Sequence, residues 1–192
     1  MSKINQCGDG VMATQEAFQL SEGGSIPTSP LQLHFEVIRA QTACILNARW
    51  HSRFPQIDWS NVVRNRHYVC YGARFEGQYF AVAIWSSPIA ANRLKDGQFL
   101  LELRRMAIED QAPANTASRM LSWMKKDIRK KFPEILRLIS YQDTEVHSGT
   151  IYKASGWSLV QTLNKQIEWN TKDRKRNEIQ STAPKVRWEM PL

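Results

Sequence analysis

The sequence predicts an α/β (α+β) domain: a mixed, mostly antiparallel central sheet flanked by helices. Three observations carry this. Strand-like and helix-like segments interleave along the chain, a tight turn joins two strand-like runs directly, and no internal repeat is present. A length of 192 residues suits one domain with tails. Its 42% hydrophobic and 23% charged residues are ordinary for a chain that buries a core.

The elements follow in order. Residues 1–30 are rich in Gly, Ser, Gln and Thr and close on "SEGGSIPTSP", which reads as a flexible arm. "LHFEVI" alternates Leu33, Phe35 and Val37 as a strand does, and "RAQTACILNARW" reads as a helix. "RHYVCYGARF" and "QYFAVAIW" flank Glu76-Gly77 as an antiparallel hairpin. "QFLLELRRMAI" is a further strand, and after "EDQAPANTAS" a helix runs to Pro133. "ILRLISYQD" is a buried strand by composition, and "TEVHSGTIYKAS" a short helix stopped by Gly156. "WSLVQTL" and "QIEWN" form a second hairpin, after which the chain turns basic as far as "KVRWEM". Residues 31–170 are thus expected as the folded domain and 171–192 as a basic extension packing on or near it.

Charge narrows the partners. Lys and Arg total 26 against 18 acids, a net +8, which favours a polyanion such as nucleic acid. Lys165, Lys172, Arg174, Lys175, Arg176, Lys185 and Arg187 are the expected phosphate contacts. "KKDIRKK" reads equally well as the solvated face of its helix. No basic start with an apolar run marks the N-terminus, and the odd number of scattered cysteines (Cys7, Cys44 and Cys70) suggests reduced thiols, so a cytoplasmic location is expected. No spacing of His, Cys or carboxylates indicates a metal.

Two segments offer chemistry. In "SYQDTEVHSGTIYKASGW", Asp143 stands at the carboxyl end of a strand, His147 is expected in the first helical turn, and Tyr152 lies five residues on, about 140° around an ideal helix. Together they offer a base, a switchable acid and a weak acid. A structural reading has Asp143 or Thr144 capping the helix, His147 at the surface and Tyr152 in the core. In the glycine-free turn "APANTAS", Asn115, Thr116 and Ser118 can cap the next helix or hold an anion at its N-terminus.

"YQDTEVHSGTIYKASGW" resembles the signature of the phage Mom family, whose acyltransferase-like domains of the GNAT superfamily carry an aspartate, a "GH-x-GTIY-x-A" helix and a following aromatic. Asp143, His147, Gly149, Thr150, Ile151, Tyr152, Ala154 and Trp157 match, with Val146 where the family often has glycine. Pro113, Asn115 and Ser118 are similar to the family's "P-x-N-x-x-S" turn, and "NARWHSRFP" to its His-containing segment, which places His51 and Ser52 there.

The resemblance implies addition of a small acyl-derived group, of the acetamido or carbamoylmethyl type, to the exocyclic amine of adenine in double-stranded DNA, protecting phage DNA from restriction. It implies catalytic roles for Asp143, His147, Tyr152, His51 and Ser52. Arg105, Met106, Asn115, Thr116, Ser118 and Arg119 would bind acetyl-CoA or another activated acyl donor. Trp50, Trp59 and Trp85 are available to stack on a flipped base. Two other functions fit the residues: a GNAT N-acetyltransferase for a protein or small-molecule amine, and a non-catalytic nucleic-acid-binding module. A homodimer is compatible with the sequence.

Overall fold

The computed structural model describes residues 25–51, 56–88, 93, 99–163 and 183–192. After a 3-10 turn at Pro30–Gln32 come β1 (His34–Val37), α1 (Ala40–Trp50), α2 (Trp59–Val63), β2 (Tyr68–Phe75), β3 (Gln78–Ser86) and β4 (Leu100–Ile108). Then follow α3 (Thr116–Lys131), β5 (Arg137–Asp143), α4 (Thr150–Ala154), β6 (Ser158–Leu163) and β7 (Lys185–Pro191). Glu76 and Gly77 take φ of 45° and 85°, the pair of positive values that a two-residue hairpin turn needs.

The strands form one sheet in the order β1-β2-β3-β4-β5-β7-β6. The β4–β5 contact is parallel and the other pairings are antiparallel. That contact is short: it runs from Leu100 opposite Arg137 to Leu103 opposite Ser140, although β4 continues to Ile108 and β5 to Asp143. Beyond it β4 stays paired to β3 and β5 to β7, so the sheet parts between them. Helices can therefore present groups to a notch open at the carboxyl ends of two strands.

Register decides which side chains face which side. Ile84 pairs with Arg105 and Trp85 with Leu103, so Arg104 is the extra residue of a β-bulge. Ala81, Ala83, Trp85, Leu101 and Leu103 join the core beneath α3, whereas Val82, Ile84 and Ala107 join the core beneath α1. In α3, Met120, Leu121, Met124 and Ile128 lie on one helical face, all 0% exposed. Complete burial of such side chains stabilises by about 1.5–3 kcal/mol each.

Three sequence expectations change. β6 pairs with β7, a partner the sequence did not suggest, while "QIEWN" lies outside the described residues. Residues 185–191 are consequently an inner strand between β5 and β6 rather than an appended extension. The segment expected to be helical from Thr144 is turn and loop as far as Gly149, and only Thr150–Ala154 is helix. The reason is local: Gly149 adopts φ 75°, which a continuous right-handed helix does not accommodate. His147 thus precedes the helix, and the 140° relation to Tyr152 does not apply. Residues 1–24 of the expected N-terminal arm lie outside the described residues, whereas Ser29 and Pro30, inside its expected bounds, cap and begin the 3-10 turn, and no described helix is long and apolar enough to cross a membrane.

Candidate active site

The notch has two faces, set by the pleat of β5. On the α3 side, Leu138 packs in the core, the Ser140 hydroxyl lies 2.8 Å from the Tyr152 hydroxyl, and Gln142 meets Trp188. Strand alternation turns Tyr141 and Asp143 to the α1 side. Asp143 and Tyr152, neighbours in the motif, therefore address opposite faces of the sheet.

Tyr152 sits in an aromatic box. Its ring stacks on Trp188 at 5.2 Å between centroids and meets Trp157 edge-on at 5.5 Å, while Trp157 stacks on Trp85 at 6.3 Å. Burial raises the phenol's pKa above its ordinary range, and the Ser140 hydroxyl pulls it the other way. The phenol is thereby kept as a proton-bearing group. Trp85 is 0% exposed and belongs to this core, so it offers no stacking surface; Trp59 is 46% exposed and Trp50 packs against the core beneath α1.

The α1 side gathers the polar groups. His51 closes α1, its N–H donating to the Asn47 carbonyl at 2.9 Å. Burial lowers its imidazole pKa first, followed by the charges of Arg105 and His147. His51 thus lies within electrostatic reach of both, and its neutral form is favoured. Arg104 donates to the Ser86 hydroxyl at 3.0 Å, and Arg105 to the Arg104 carbonyl at 2.7 Å. Burial lowers both guanidinium pKa values, which leaves them charged. Asp143 is 7% exposed and its Oδ1 accepts from the Glu145 N–H at 3.0 Å, while its carbonyl accepts from the His147 N–H at 3.1 Å.

The turn before α3 is built without glycine. Asn115 is its N-cap at φ 67°, taking the left-handed conformation that a glycine would otherwise supply. Its side chain caps nothing, the Thr116 hydroxyl donates to the Pro113 carbonyl at 2.7 Å, and the Ser118 hydroxyl to the Asn115 carbonyl at 3.1 Å. These hydroxyls therefore do not cap the helix, contrary to one of the two expectations. The Thr116 N–H donates to the Pro113 carbonyl at 3.2 Å, and among the described residues no N-cap side chain bonds to the first turn, which suits an anion there.

The expected donor set is divided. Met106 packs against the α3-side core, whereas its neighbour Arg105, opposite Ile84, faces α1 and His51. The Arg119 guanidinium carbon lies 5.8 Å from the centre of the Phe35 ring. Of the expected DNA contacts, Arg187 is held inside the sheet, 2.8 Å from Gln161 Oε1 and 3.0 Å from Glu189 Oε1, so its charge is already paired. Lys185 lies on the same strand, and Lys165, Lys172, Arg174, Lys175, Arg176 and Ser52 lie outside the described residues. Among the described residues no three His, Cys, Asp or Glu side chains gather to hold a metal.

Sequence reasoning passed over Ser140, Gln142 and Trp188. A signal existed: Ser140 and Gln142 occupy alternate positions of a strand otherwise apolar on that face, where a buried polar group needs a specific partner.

The model of the Mom protein family matches residues 32–189. The chain belongs to the Mom protein family. A search of curated proteins finds no match. Among solved structures, this Mom family chain is similar to the ribosomal-protein-S18-alanine N-acetyltransferase of Escherichia coli, at 11% identity and TM-score 0.57 over 83% of this chain and 93% of that one. It is also similar to the ribosomal-protein-alanine N-acetyltransferase of Brucella melitensis, at 13% identity and TM-score 0.59 over 83% and 100%. Aminoglycoside acetyltransferase AAC(6')-Ib in complex with coenzyme A gives 8% identity and TM-score 0.56 over 83% and 94%. The fold is that of the GNAT acetyltransferases.

Proposed function

We propose that this Mom family protein is a transferase that moves a small acyl-derived group from an activated donor to the exocyclic amine of adenine in DNA. The observation carrying this reading is the pair of chemically distinct faces that meet at one notch: a buried, proton-bearing Tyr152 on one side, and Asp143, His147, His51 and Arg105 on the other.

The residues divide the work accordingly. The first turn of α3, with Asn115 holding its backbone open, binds the donor's phosphates; a coenzyme A thioester, the coenzyme bound by the aminoglycoside acetyltransferase, would supply an activated carbonyl. Adenine's amine is a weak nucleophile, because its lone pair is delocalised into the ring. As the new N–C bond forms and the carbon–sulfur bond breaks, Asp143 accepts the amine proton, directly or through His147, and Tyr152 gives its proton to the leaving thiolate. His51, whose neutral form is favoured by burial, is the second candidate base. The target base is flipped from the duplex at a cost of about a few kcal/mol.

Expression in bacteria followed by nucleoside mass spectrometry tests this. A modified deoxyadenosine is expected in genomic DNA, and its absence despite soluble protein would overturn the reading. Asp143→Asn and Tyr152→Phe should each abolish the product while leaving the melting transition in place.

A further inference from the structure

The loop that carries His147 has a holder which none of the roles above includes. Gln142, 5% exposed on β5, spans two partners. Its Oε1 accepts from the indole N–H of Trp188 on β7 at 2.6 Å, and its Nε2 donates to the backbone carbonyl of His147. The orientation is unambiguous: indole can only donate and a carbonyl can only accept, so the amide fits one way round. Two residues after His147, Gly149 takes φ 75°, and a Cβ there would come within 2.7 Å of both Gln142 Oε1 and Trp188 Cζ2. The loop backbone is therefore seated directly on this amide–indole pair. Its other end is tied as well, since the Thr144 hydroxyl and N–H donate to the Pro184 carbonyl at 2.9 and 3.2 Å. Trp188 in turn stacks on Tyr152.

We propose that Gln142 is a positioning residue: it fixes the His147 loop beside His51 and joins it, through Trp188, to Tyr152 on the other face of the sheet. The α3-side aromatic box and the α1-side polar group thereby share one rigid connection. Moving the amide displaces His147 without touching a residue that meets donor or base. The mechanistic consequence rests on the transfer reading above; the positional claim does not.

The test is an NMR titration of the imidazole Cε1–H resonances of the four histidines in the full chain. His147→Gln is expected to raise the His51 midpoint, because it removes a group that lowers it. Gln142→Met, nearly isosteric and uncharged, should raise the midpoint in the same sense, and Gln142→Met/His147→Gln should equal His147→Gln alone. His67, buried 2.7 Å from Glu134 and edge-on to Phe132 at the opposite end of the sheet, serves as the internal check that the fold persists. Should Gln142→Met not fold, Trp188→Phe removes the indole donor together with part of the ring beneath Gly149 and is expected to act alike. A wild-type His51 midpoint in the folded variant, or full additivity in the double variant, overturns the proposal. With a transfer assay, misplacement should slow turnover by up to about 10²-fold. If no transfer is detected in any variant but the midpoints move as expected, the positioning role survives and the reaction reading falls.

Discussion

Two turns in this molecule solve the same backbone problem with different residues. Both lead from a strand into a helix, both begin the helix with a residue at positive φ (67° at Asn115, 75° at Gly149), and in neither does the N-cap side chain bond to the helix. They differ in surroundings: Asn115 is exposed, whereas Gly149 is buried against Gln142 and Trp188. A left-handed residue can be asparagine where space is open and must be glycine where a Cβ has nowhere to go. The absence of glycine from the first turn is thus no sign of a decayed anion site. Each turn also delivers something different: the first leaves backbone N–H groups open on α3, and the second aims a side chain, His147.

The largest effect is expected at Gly149. Gly149→Ala should cost about 3 kcal/mol or more, combining roughly 1–2 for the left-handed backbone with 1–3 for overpacking. Gly149→Asn separates the two, since asparagine tolerates this φ but still carries a Cβ. Both variants should lower the urea midpoint strongly or leave the protein insoluble. If Gly149→Asn proved as stable as the parent, steric exclusion would not be what distinguishes the turns.

Asn115 should respond more gently. Asn115→Ala is expected to cost about 1–2 kcal/mol through its φ alone. Asn115→Gly should stay within a few tenths of the parent, as glycine usually does at an N-cap. Chemical denaturation of the pair decides it, and equal losses would mean that the asparagine amide matters rather than the backbone it permits.

The contrast also marks how far the sequence could be read. The Glu76-Gly77 hairpin and the α3 periodicity are encoded within a few residues, so both were legible. The pairing of β6 with β7 joins segments about 20 residues apart and depends on which edge of β5 is free, which no local pattern states. Arg104 is turned by a bulge visible only once β3 and β4 are in register. For the site, the motif located Asp143, His147 and Tyr152 but implied one cluster. Strand alternation from Ser140 onward, a fact of the sheet, puts Asp143 on one face and Ser140, with Tyr152 bonded to it, on the other, while His147 lies in the loop after the strand. His147 read as helical because "TEVHSGTIYKAS" read as one helix, while the close fit that leaves no room for a Cβ at Gly149 involves Gln142 and Trp188, the latter 39 residues on.

The smallest effect tests what the Gly149 turn aims. In the folded protein His51 has an imidazole pKa below the ordinary value near 6.5, through burial and then through Arg105 and His147. The unfolded chain therefore binds a proton more readily than the folded one, and stability rises with pH across the interval between the two values. As pH falls from about 6.5 towards the lower folded pKa, the native state should lose stability, and below both values the loss should level off. His51→Gln should flatten that stretch of the stability profile, measured by urea midpoints from pH 5 to 8. His147→Gln should flatten it partly, because burial and Arg105 remain. An equal slope in His147→Gln and the parent would mean that the second turn does not deliver its side chain to His51, and the difference in purpose between the two turns would disappear.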